Sequence, residues 1–264
     1  MPYRIHVRDA ADALFDRLVD LGALDVERVD ESGLAALMPD RVTPQQVAAA
    51  LGREDMTVSP AIGRDAGSVW ILSPRAFRVG RIRIAPAEGA ADVEALRLID
   101  AAAFGTGLHP TTALCLDALD EIIDTDRPDR VLDVGTGSGV LALAALKLGV
   151  PRVTAIDVDG EAVRVAAQNA RINGLGERLD LSCGGPETLD GSWPLVLANV
   201  LAAPLVEMAP VLVRRVGHHG RLVLSGIPRS VEEDVVRAYR RLGMRHVSTT
   251  TRAEWIALRL HASW

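Results

Sequence analysis

A glycine-rich turn near the middle of the chain constrains the fold more than any other feature. Residues 133–139 read Asp-Val-Gly-Thr-Gly-Ser-Gly, and they lie between the apolar pair Val131-Leu132 and a helical pattern over residues 141–148. A strand, a glycine turn and a helix N-terminus form the usual binding site for a nucleotide-like ligand, because the backbone amides at the helix start attract its polar groups. The sequence therefore predicts a nucleotide-type site here.

The spacing of the glycines narrows the kind of ligand. It is G-x-G-x-G, not the G-x-G-x-x-G of dinucleotide sites, and Asp133 would repel a pyrophosphate. Glycine lets the backbone approach a ligand closely, and a carboxylate attracts a cationic group. We therefore predict that Gly135, Gly137 and Gly139 contact the ligand and that Asp133 faces a cationic group on it.

A second acidic residue follows about 20 residues later, at the spacing expected for an acid that binds ribose hydroxyls. Asp157 ends the apolar run 152–157. The alternative role, a cap for the helix predicted over residues 161–169, suits Asp159 better because Glu161 and Ala162 follow it in helical register. We predict that Asp157 binds the ribose.

Two further segments carry polar groups suited to a site. Residues 103–112, Ala-Phe-Gly-Thr-Gly-Leu-His-Pro-Thr-Thr, precede a predicted helix and could close over a ligand, although a loop that merely caps the helix through Thr111 or Thr112 is the alternative. We assign no base function to His109. Asn199 ends a strand predicted to lie beside the glycine strand; its side-chain oxygen and the Val200 carbonyl could accept hydrogen bonds from an amine. The alternative is a turn-forming asparagine.

Composition excludes several classes of function. The net charge is −6 with a pI of about 5.5, which gives no electrostatic footprint for DNA or structured RNA. Cys115 and Cys183 are far apart, so neither a zinc site nor a disulfide is predicted, and no metal is expected. The sequence shows no signal peptide and no apolar run of membrane-spanning length, so we expect a soluble, cytoplasmic protein without membrane contact. We also expect a monomer that makes no direct contact with DNA or RNA.

The first 58 residues predict a small domain. Strands over 3–7, 23–29, 34–38 and 56–58 alternate with helices over 10–21 and from Pro44 to about Gly52, capped by Thr43, in the β-α-β-β-α-β order of ferredoxin-like domains. Residues 1–60 hold eleven acidic residues against six arginines, which favours a lysine-rich partner, although a solvated acidic surface explains the same count. Recurrent turn residues over 59–90 indicate a linker containing short strand-like pieces at 69–72 and 81–84.

Residues 91–264 predict a doubly wound α/β domain. Strands and helices alternate from residue 94 to residue 260, with one helix predicted over 204–213 and another over 231–242. Such alternation indicates a mostly parallel sheet, here of seven strands with a C-terminal antiparallel hairpin.

Five segments resemble one family in their family order. They are FGTGLHPTT, VLDVGTGSGVLALAALKLG, AIDVD, LANVLAAPLVEMAP and LVLSGI, and together they are similar to the bacterial ribosomal protein methyltransferases called PrmA. The glycine segment alone already resembles the first motif of class I S-adenosylmethionine-dependent methyltransferases. The resemblance covers residue 100 to the C-terminus.

The resemblance implies a Rossmann-like enzyme that transfers methyl groups from S-adenosylmethionine to lysine side chains and the N-terminal amine of the eleventh large-subunit ribosomal protein. It implies cofactor contacts at Thr112, Gly135, Asp157 and Asn199, with Asn199 also facing the methyl acceptor. From the loop before Thr112 we add four predicted cofactor contacts, namely Phe104, Gly105, Thr106 and Gly107. The N-terminal domain would recognise the ribosomal protein.

Other functions remain as alternatives at this point. The chain could be a lysine methyltransferase for a different protein, or a binding module that holds S-adenosylmethionine without turnover. Methyltransferases that act on planar amides or adenine commonly carry Asn-Pro-Pro-Tyr or Asn-Pro-Pro-Phe where this chain has Asn199-Val200-Leu201-Ala202, so an aliphatic amine is favoured. A nicotinamide oxidoreductase is disfavoured by the glycine spacing and by Asp133.

Overall fold

The computed structural model describes residues 1–8, 12–29, 33–63, 69, 71–88, 94–99 and 108–264. It divides the chain into two compact units, Met1–Pro74 and Arg75–Trp264. The predicted linker, 59–90, does not coincide with this division. Its first two residues end a strand of the first unit, and its second half forms strands that belong to the second unit.

The first unit has the βαββαβ order expected of a ferredoxin-like domain. Its strands β1–β4 form one sheet in the order β2-β3-β1-β4, in which each neighbouring pair is antiparallel. The elements are β1 (Tyr3–Val7), α1 (Asp12–Asp20), β2 (Asp25–Arg28), β3 (Leu34–Met38), α2 (Pro44–Leu51) and β4 (Met56–Pro60).

Local signals account for the helix α2. The Thr43 side chain accepts a hydrogen bond from the Gln46 backbone, and the Gln46 side chain accepts one from the Thr43 backbone, which is the reciprocal capping box. Gly52 ends the helix in the left-handed conformation at φ 66°. The predicted cap and both helix ends are confirmed. The apolar faces of α1 and α2 contribute Leu18 and Val47 to a core that they share with the sheet.

A seven-stranded sheet forms the centre of the second unit, in the order β10-β9-β8-β11-β12-β14-β13. The first five strands in this order are parallel to their neighbours, while β14 is antiparallel to both β12 and β13, which confirms the predicted hairpin. The strands are β8 (Arg130–Val134), β9 (Arg152–Asp157), β10 (Leu179–Cys183), β11 (Trp193–Asn199), β12 (Val216–Pro228), β13 (Met244–Arg252) and β14 (Trp255–Ala262).

The helices of the second unit are α3 (Pro110–Asp126), α4 (Val140–Lys147), α5 (Gly160–Ile172), α6 (Ala202–Glu207), α7 (Ala209–Arg215) and α8 (Glu232–Arg240). The prediction of one helix over 204–213 is wrong, since α6 and α7 are separate. Pro210 lies in the first turn of α7, where a proline is tolerated because that turn needs no N–H donor. In the described part of the chain, no helix is long and apolar enough to cross a membrane.

A small additional sheet precedes these elements. Strands β5 (Phe77–Val79), β6 (Ile82–Pro86) and β7 (Leu96–Leu98) pair in the order β5-β6-β7. Their inward residues Val79, Ile82 and Ile84 are buried in the same core as α3 and α4, which is why these strands belong to the second unit. Of the strand-like piece predicted over 69–72, the described residues form only an isolated bridge at Val69. There the Leu72 N–H donates instead to the Asp25 carboxylate at 2.9 Å.

Candidate functional site

The glycine turn lies between β8 and α4 and requires its glycines. Gly135, Gly137 and Gly139 have φ angles of 73°, 56° and 81°, a region that residues with side chains rarely adopt. A Cβ atom at Gly135 would overlap the Val200 side chain, and one at Gly139 would lie 3.0 Å from the Cβ of Ala166. The turn therefore combines a left-handed backbone with close packing on both sides.

The end of strand β9 holds the turn in place. The Ile156 carbonyl accepts hydrogen bonds from the N–H groups of Gly135 at 2.9 Å and Thr136 at 3.0 Å. Asp157 accepts from the Gly137 N–H at 2.9 Å through Oδ2 and from the Asp159 N–H at 3.0 Å through Oδ1. Each carboxylate oxygen can accept more than one hydrogen bond, so Asp157 retains capacity for ligand hydroxyls.

The helix cap at the start of α5 is Asp159, not Asp157. The Asp159 side chain accepts a hydrogen bond from the Glu161 N–H at 2.9 Å, which confirms the prediction that Asp159 caps this helix. Asp157 is thus a half-buried carboxylate at the carboxyl end of a parallel strand, next to the glycine turn.

Asp133 is fully buried beneath the turn. Its Oδ2 accepts a hydrogen bond from the Thr136 hydroxyl at 2.7 Å, whereas its Oδ1 has no partner in the described part of the chain. Burial raises the pKa of Asp133 to about 6; hydrogen bonds from the Thr136 side chain and the Ala142 backbone oppose this shift, and the charge of Asp157 adds to it. An unpartnered buried carboxylate oxygen is costly, and a cationic ligand group would satisfy it.

Asn199 ends β11, which pairs with β8 as predicted. Its Nδ2 donates to the Thr112 hydroxyl at 3.3 Å, and its Oδ1 is buried without a partner in the described residues. Thr112, in the first turn of α3, is itself fully buried. The threonine therefore occupies the amide nitrogen and leaves the amide oxygen available.

Neither Thr111 nor Thr112 caps the start of α3, whereas the alternative interpretation of this loop required one of them to do so. His109 is the cap: its Nδ1 lies 2.7 Å from the Thr111 hydroxyl and 3.3 Å from the Thr111 N–H. The imidazole packs edge-on against Trp255, with ring centroids 5.3 Å apart, and is buried. These contacts are those of a structural residue, and we assign His109 no function as a base. The predicted contacts Phe104, Gly105, Thr106 and Gly107 lie outside the described residues.

The structure brings Asp133, the glycine turn, Asp157 and Asn199 to the carboxyl ends of three neighbouring strands, β9, β8 and β11. This edge of an open α/β sheet is where such folds bind ligands. The described residues contain no cluster of three or more metal-ligating side chains. Sequence reasoning missed Asn169, which is fully buried and donates to the Ser138 carbonyl at 2.8 Å; the available signal was an amide on the apolar face of α5.

Known proteins resemble this chain over most of its length. The sequence model of a family described as "Ribosomal protein L11 methyltransferase (PrmA)" matches residues 71–263. A curated relative of that name from Myxococcus xanthus is 35% identical over 279 residues, which cover 96% of this chain and 94% of the relative. Another from Pelobacter propionicus is 38% identical over 228 residues, covering 83% and 73%.

A solved structure agrees. The ribosomal protein L11 methylase from Lactobacillus delbrueckii subsp. bulgaricus superimposes with a TM-score of 0.64 at 30% sequence identity, covering 70% of this chain and 97% of that one. With the sheet order, the glycine turn and these matches taken together, the chain belongs to the ribosomal protein L11 methyltransferase (PrmA) family.

Proposed function

We propose that this chain is an S-adenosylmethionine-dependent protein methyltransferase that methylates amines of ribosomal protein L11, at lysine side chains, the N-terminus or both. The observation that carries the proposal is a pair of buried, unpartnered oxygens, Asp133 Oδ1 and Asn199 Oδ1, at the ends of two adjacent strands. One is a carboxylate suited to a cation and the other an amide acceptor suited to an N–H group. Both flank the glycine turn.

The described residues fit S-adenosylmethionine. We assign the cationic amino-acid group to Asp133, the ribose hydroxyls to Asp157, and the close backbone approach to Gly135, Gly137 and Gly139. Phe104, Gly105, Thr106 and Gly107 remain predicted contacts. When bound, the cofactor supplies an electrophilic methyl group on a sulfonium, and displacement there requires an aligned nucleophile about 3 Å away.

Asn199 provides that alignment in our proposal. Because Thr112 holds the amide nitrogen, Oδ1 is directed to accept an N–H from a neutral amine, and this leaves the amine lone pair for attack. The Val200 carbonyl is the second predicted acceptor. It lies against the backbone of Gly226, where a Cβ would overlap it. Asn199 thus acts on the acceptor by positioning it, without forming a covalent bond.

The amine must lose its proton before attack, and we assign no general base. Asp133 and Asp157 are assigned to the cofactor in this proposal, and the imidazole of His109 is engaged with the Thr111 hydroxyl. Burial beside a cationic sulfonium lowers the pKa of the amine and assists deprotonation. We therefore expect the methylation rate to rise with pH toward the titration of the amine.

The first unit is the proposed recognition domain for the protein substrate. Its excess of acidic residues complements a lysine-rich surface of the kind that ribosomal proteins present. The proposal places the enzyme in the cytoplasm, as a monomer without direct ribosomal RNA contact.

The experiment that tests the function is intact-mass analysis of purified ribosomal protein L11 after incubation with the enzyme and S-adenosylmethionine. We expect successive methyl-group additions. Methylation of other lysate proteins but not of L11 would identify a different protein substrate. Binding of S-adenosylhomocysteine without methylation of any protein would identify a non-catalytic module.

An Asn199→Ala variant tests the assigned role. We expect it to lower kcat for L11 by about 100-fold while S-adenosylhomocysteine affinity changes far less, because the lost acceptor acts mainly on the transferring amine. Equal kcat for the variant and the wild type would show that Asn199 does not position the acceptor amine.

A further inference from the structure

Helix α5 carries Asn169 in its last turn and ends at a second asparagine, its C-cap Asn173. Asn169 and Asn173 are four residues apart, so they lie one helical turn from each other. Asn169 is fully buried beside Ala166 and Ala170, on a face that is otherwise apolar. An amide is costly in such a place unless its donors and acceptor are hydrogen-bonded. The bonds that these two amides form therefore identify what they do.

Both amides bind the backbone of the segment that contains β7. Asn173 Oδ1 accepts from the Arg97 N–H at 2.9 Å, and its Nδ2 donates to the Arg97 carbonyl at 2.7 Å. Asn169 Oδ1 accepts from the Ile99 N–H at 2.9 Å. The other edge of β7 pairs with β6. The two asparagines thus take the place of a neighbouring strand along this edge.

Asn169 has a second contact that Asn173 lacks. Its Nδ2 donates to the Ser138 carbonyl at 2.8 Å, inside the glycine turn. The same peptide unit is held at its other end, because the Gly139 N–H donates to the Thr136 carbonyl at 2.9 Å. Both polar atoms of the Ser138–Gly139 peptide are therefore occupied.

The glycine turn is consequently held from two directions. Asp157 binds the Gly137 N–H, and Asn169 binds the Ser138 carbonyl one residue later. Ala166, one turn before Asn169 on α5, packs where a Gly139 Cβ would lie. Cofactor sites require their backbone donors to be fixed in advance, since small displacements weaken binding.

We propose that Asn169 is a positioning residue of the cofactor site, which fixes the glycine turn through the Ser138 carbonyl and joins it to the backbone at Ile99. This inference rests on the proposed function. Asn169 contacts the turn and not the cofactor, so its loss weakens cofactor binding indirectly.

The test is an Asn169→Asp variant. Aspartate keeps the shape and an oxygen for the Ile99 N–H, but it cannot donate to the Ser138 carbonyl. We expect Kd for S-adenosylhomocysteine and KM for S-adenosylmethionine to rise about tenfold, because a tenfold change corresponds to the free energy of one buried hydrogen bond. We expect kcat to stay within about twofold of the wild-type value.

The matched control is Asn173→Asp. It introduces the same change on the same helix face and also loosens the contact with β7, but Asn173 does not touch the glycine turn. We expect its Kd for S-adenosylhomocysteine to stay within about twofold of wild type. Because a carboxylate in the core can impair folding, Asn169→Ser and Asn173→Ser are measured in parallel, with the same ordering expected.

Two results would overturn the inference. One is equal weakening of cofactor binding by the Asn169 and Asn173 variants at equal loss of Tm, which indicates a purely structural role. The other is wild-type affinity in the Asn169 variants. If the wild-type protein itself does not bind S-adenosylhomocysteine, the proposed function fails as well, so the two failures are distinguishable.

Discussion

Asp157 and Asp159 are two aspartates, two residues apart, with different partners. Asp157 contacts the glycine turn, whereas Asp159 caps α5. We expect Asp157→Ala to raise Kd for S-adenosylhomocysteine by about 100-fold or more, which corresponds to two lost hydrogen bonds to a charged group. Isothermal titration calorimetry measures this directly.

Asp159→Ala is the control for that variant. Loss of a cap destabilises a protein by about 1 kcal/mol, so its Tm should fall slightly while cofactor affinity is retained. If Asp159→Ala weakens cofactor binding as much as Asp157→Ala, the ribose role of Asp157 is wrong.

Asp133 gives the cofactor site a pH dependence. Its pKa is raised to about 6 by burial, compared with 3.8 for the free carboxyl, so the folded protein without ligand takes up a proton at higher pH than the unfolded chain does. The ionised form therefore costs the unliganded fold about 3 kcal/mol at pH 7, and this cost disappears as pH falls through 6 toward 4.

Cofactor binding should follow the opposite trend, because the cationic group of the cofactor needs the ionised carboxylate. We expect Kd for S-adenosylhomocysteine to be constant above pH 7 and to rise as pH falls below about 6. In an Asp133→Asn variant the affinity should be lower and flat across this range. A titration from pH 5 to 8 in which wild type shows no change would exclude Asp133 as the partner of the cation.

At the scale of elements, the glycine turn offers a matched pair of substitutions. Gly139 and Gly174 both have positive φ, 81° and 67°, but a Cβ at Gly139 would lie 3.0 Å from Ala166, whereas one at Gly174 meets nothing within 4 Å. Gly139→Ala should lower stability by about 2–4 kcal/mol and abolish measurable cofactor binding, since both strain and overlap act on the turn.

Gly174→Ala should lower stability by only about 1 kcal/mol and leave the cofactor affinity unchanged. Chemical denaturation and calorimetry on both variants give the comparison. Equal effects of the two substitutions would show that backbone strain alone, and not the packing of the turn against α5, determines the outcome.

The elements that sequence patterns predicted are those with local signals. The cap at Thr43, the glycine turn and the cap at Asp159 depend on residues within a few positions of one another. The central strands β8 and β11 are nearly continuous apolar runs, because parallel strands inside a sheet are buried on both faces. Features of this kind can be predicted from the sequence alone, before any tertiary contact is known.

The features that were missed depend on contacts distant in sequence. Asn169 binds Ser138 and Ile99, 31 and 70 residues away, so nothing near it indicates its partners. The strand-like piece predicted over 81–84 overlaps β6, but the turn residues around β5 and β6 indicate a linker, whereas the inward side chains of both strands are buried in the same core as α3. His109 caps α3 in place of a threonine while its ring packs against Trp255, a contact across 146 positions.

For the whole molecule, we expect charge on the first unit to govern recognition of the protein substrate. Neutralising the exposed residues Asp16, Asp20 and Glu54 with Asn, Asn and Gln should raise KM for L11 severalfold at low salt, with little change in cofactor affinity. The effect should shrink as ionic strength increases.

The control neutralises three exposed acidic residues of the second unit, Asp129, Glu177 and Asp190, which adjoin the amino ends of strands and lie away from the candidate site. This variant has the same change in net charge. Equal KM values for the two variants would show that overall charge, and not the first unit, controls substrate binding.

The central claim is that a sulfonium donor binds across the carboxyl ends of β9, β8 and β11. A crystal structure with S-adenosylhomocysteine tests it most directly. We predict its ribose hydroxyls within hydrogen-bond distance of Asp157, its amino group beside Asp133 and its sulfur directed toward Asn199. A ligand bound elsewhere, or one at this edge in the reverse orientation with its ribose away from Asp157, would contradict the account.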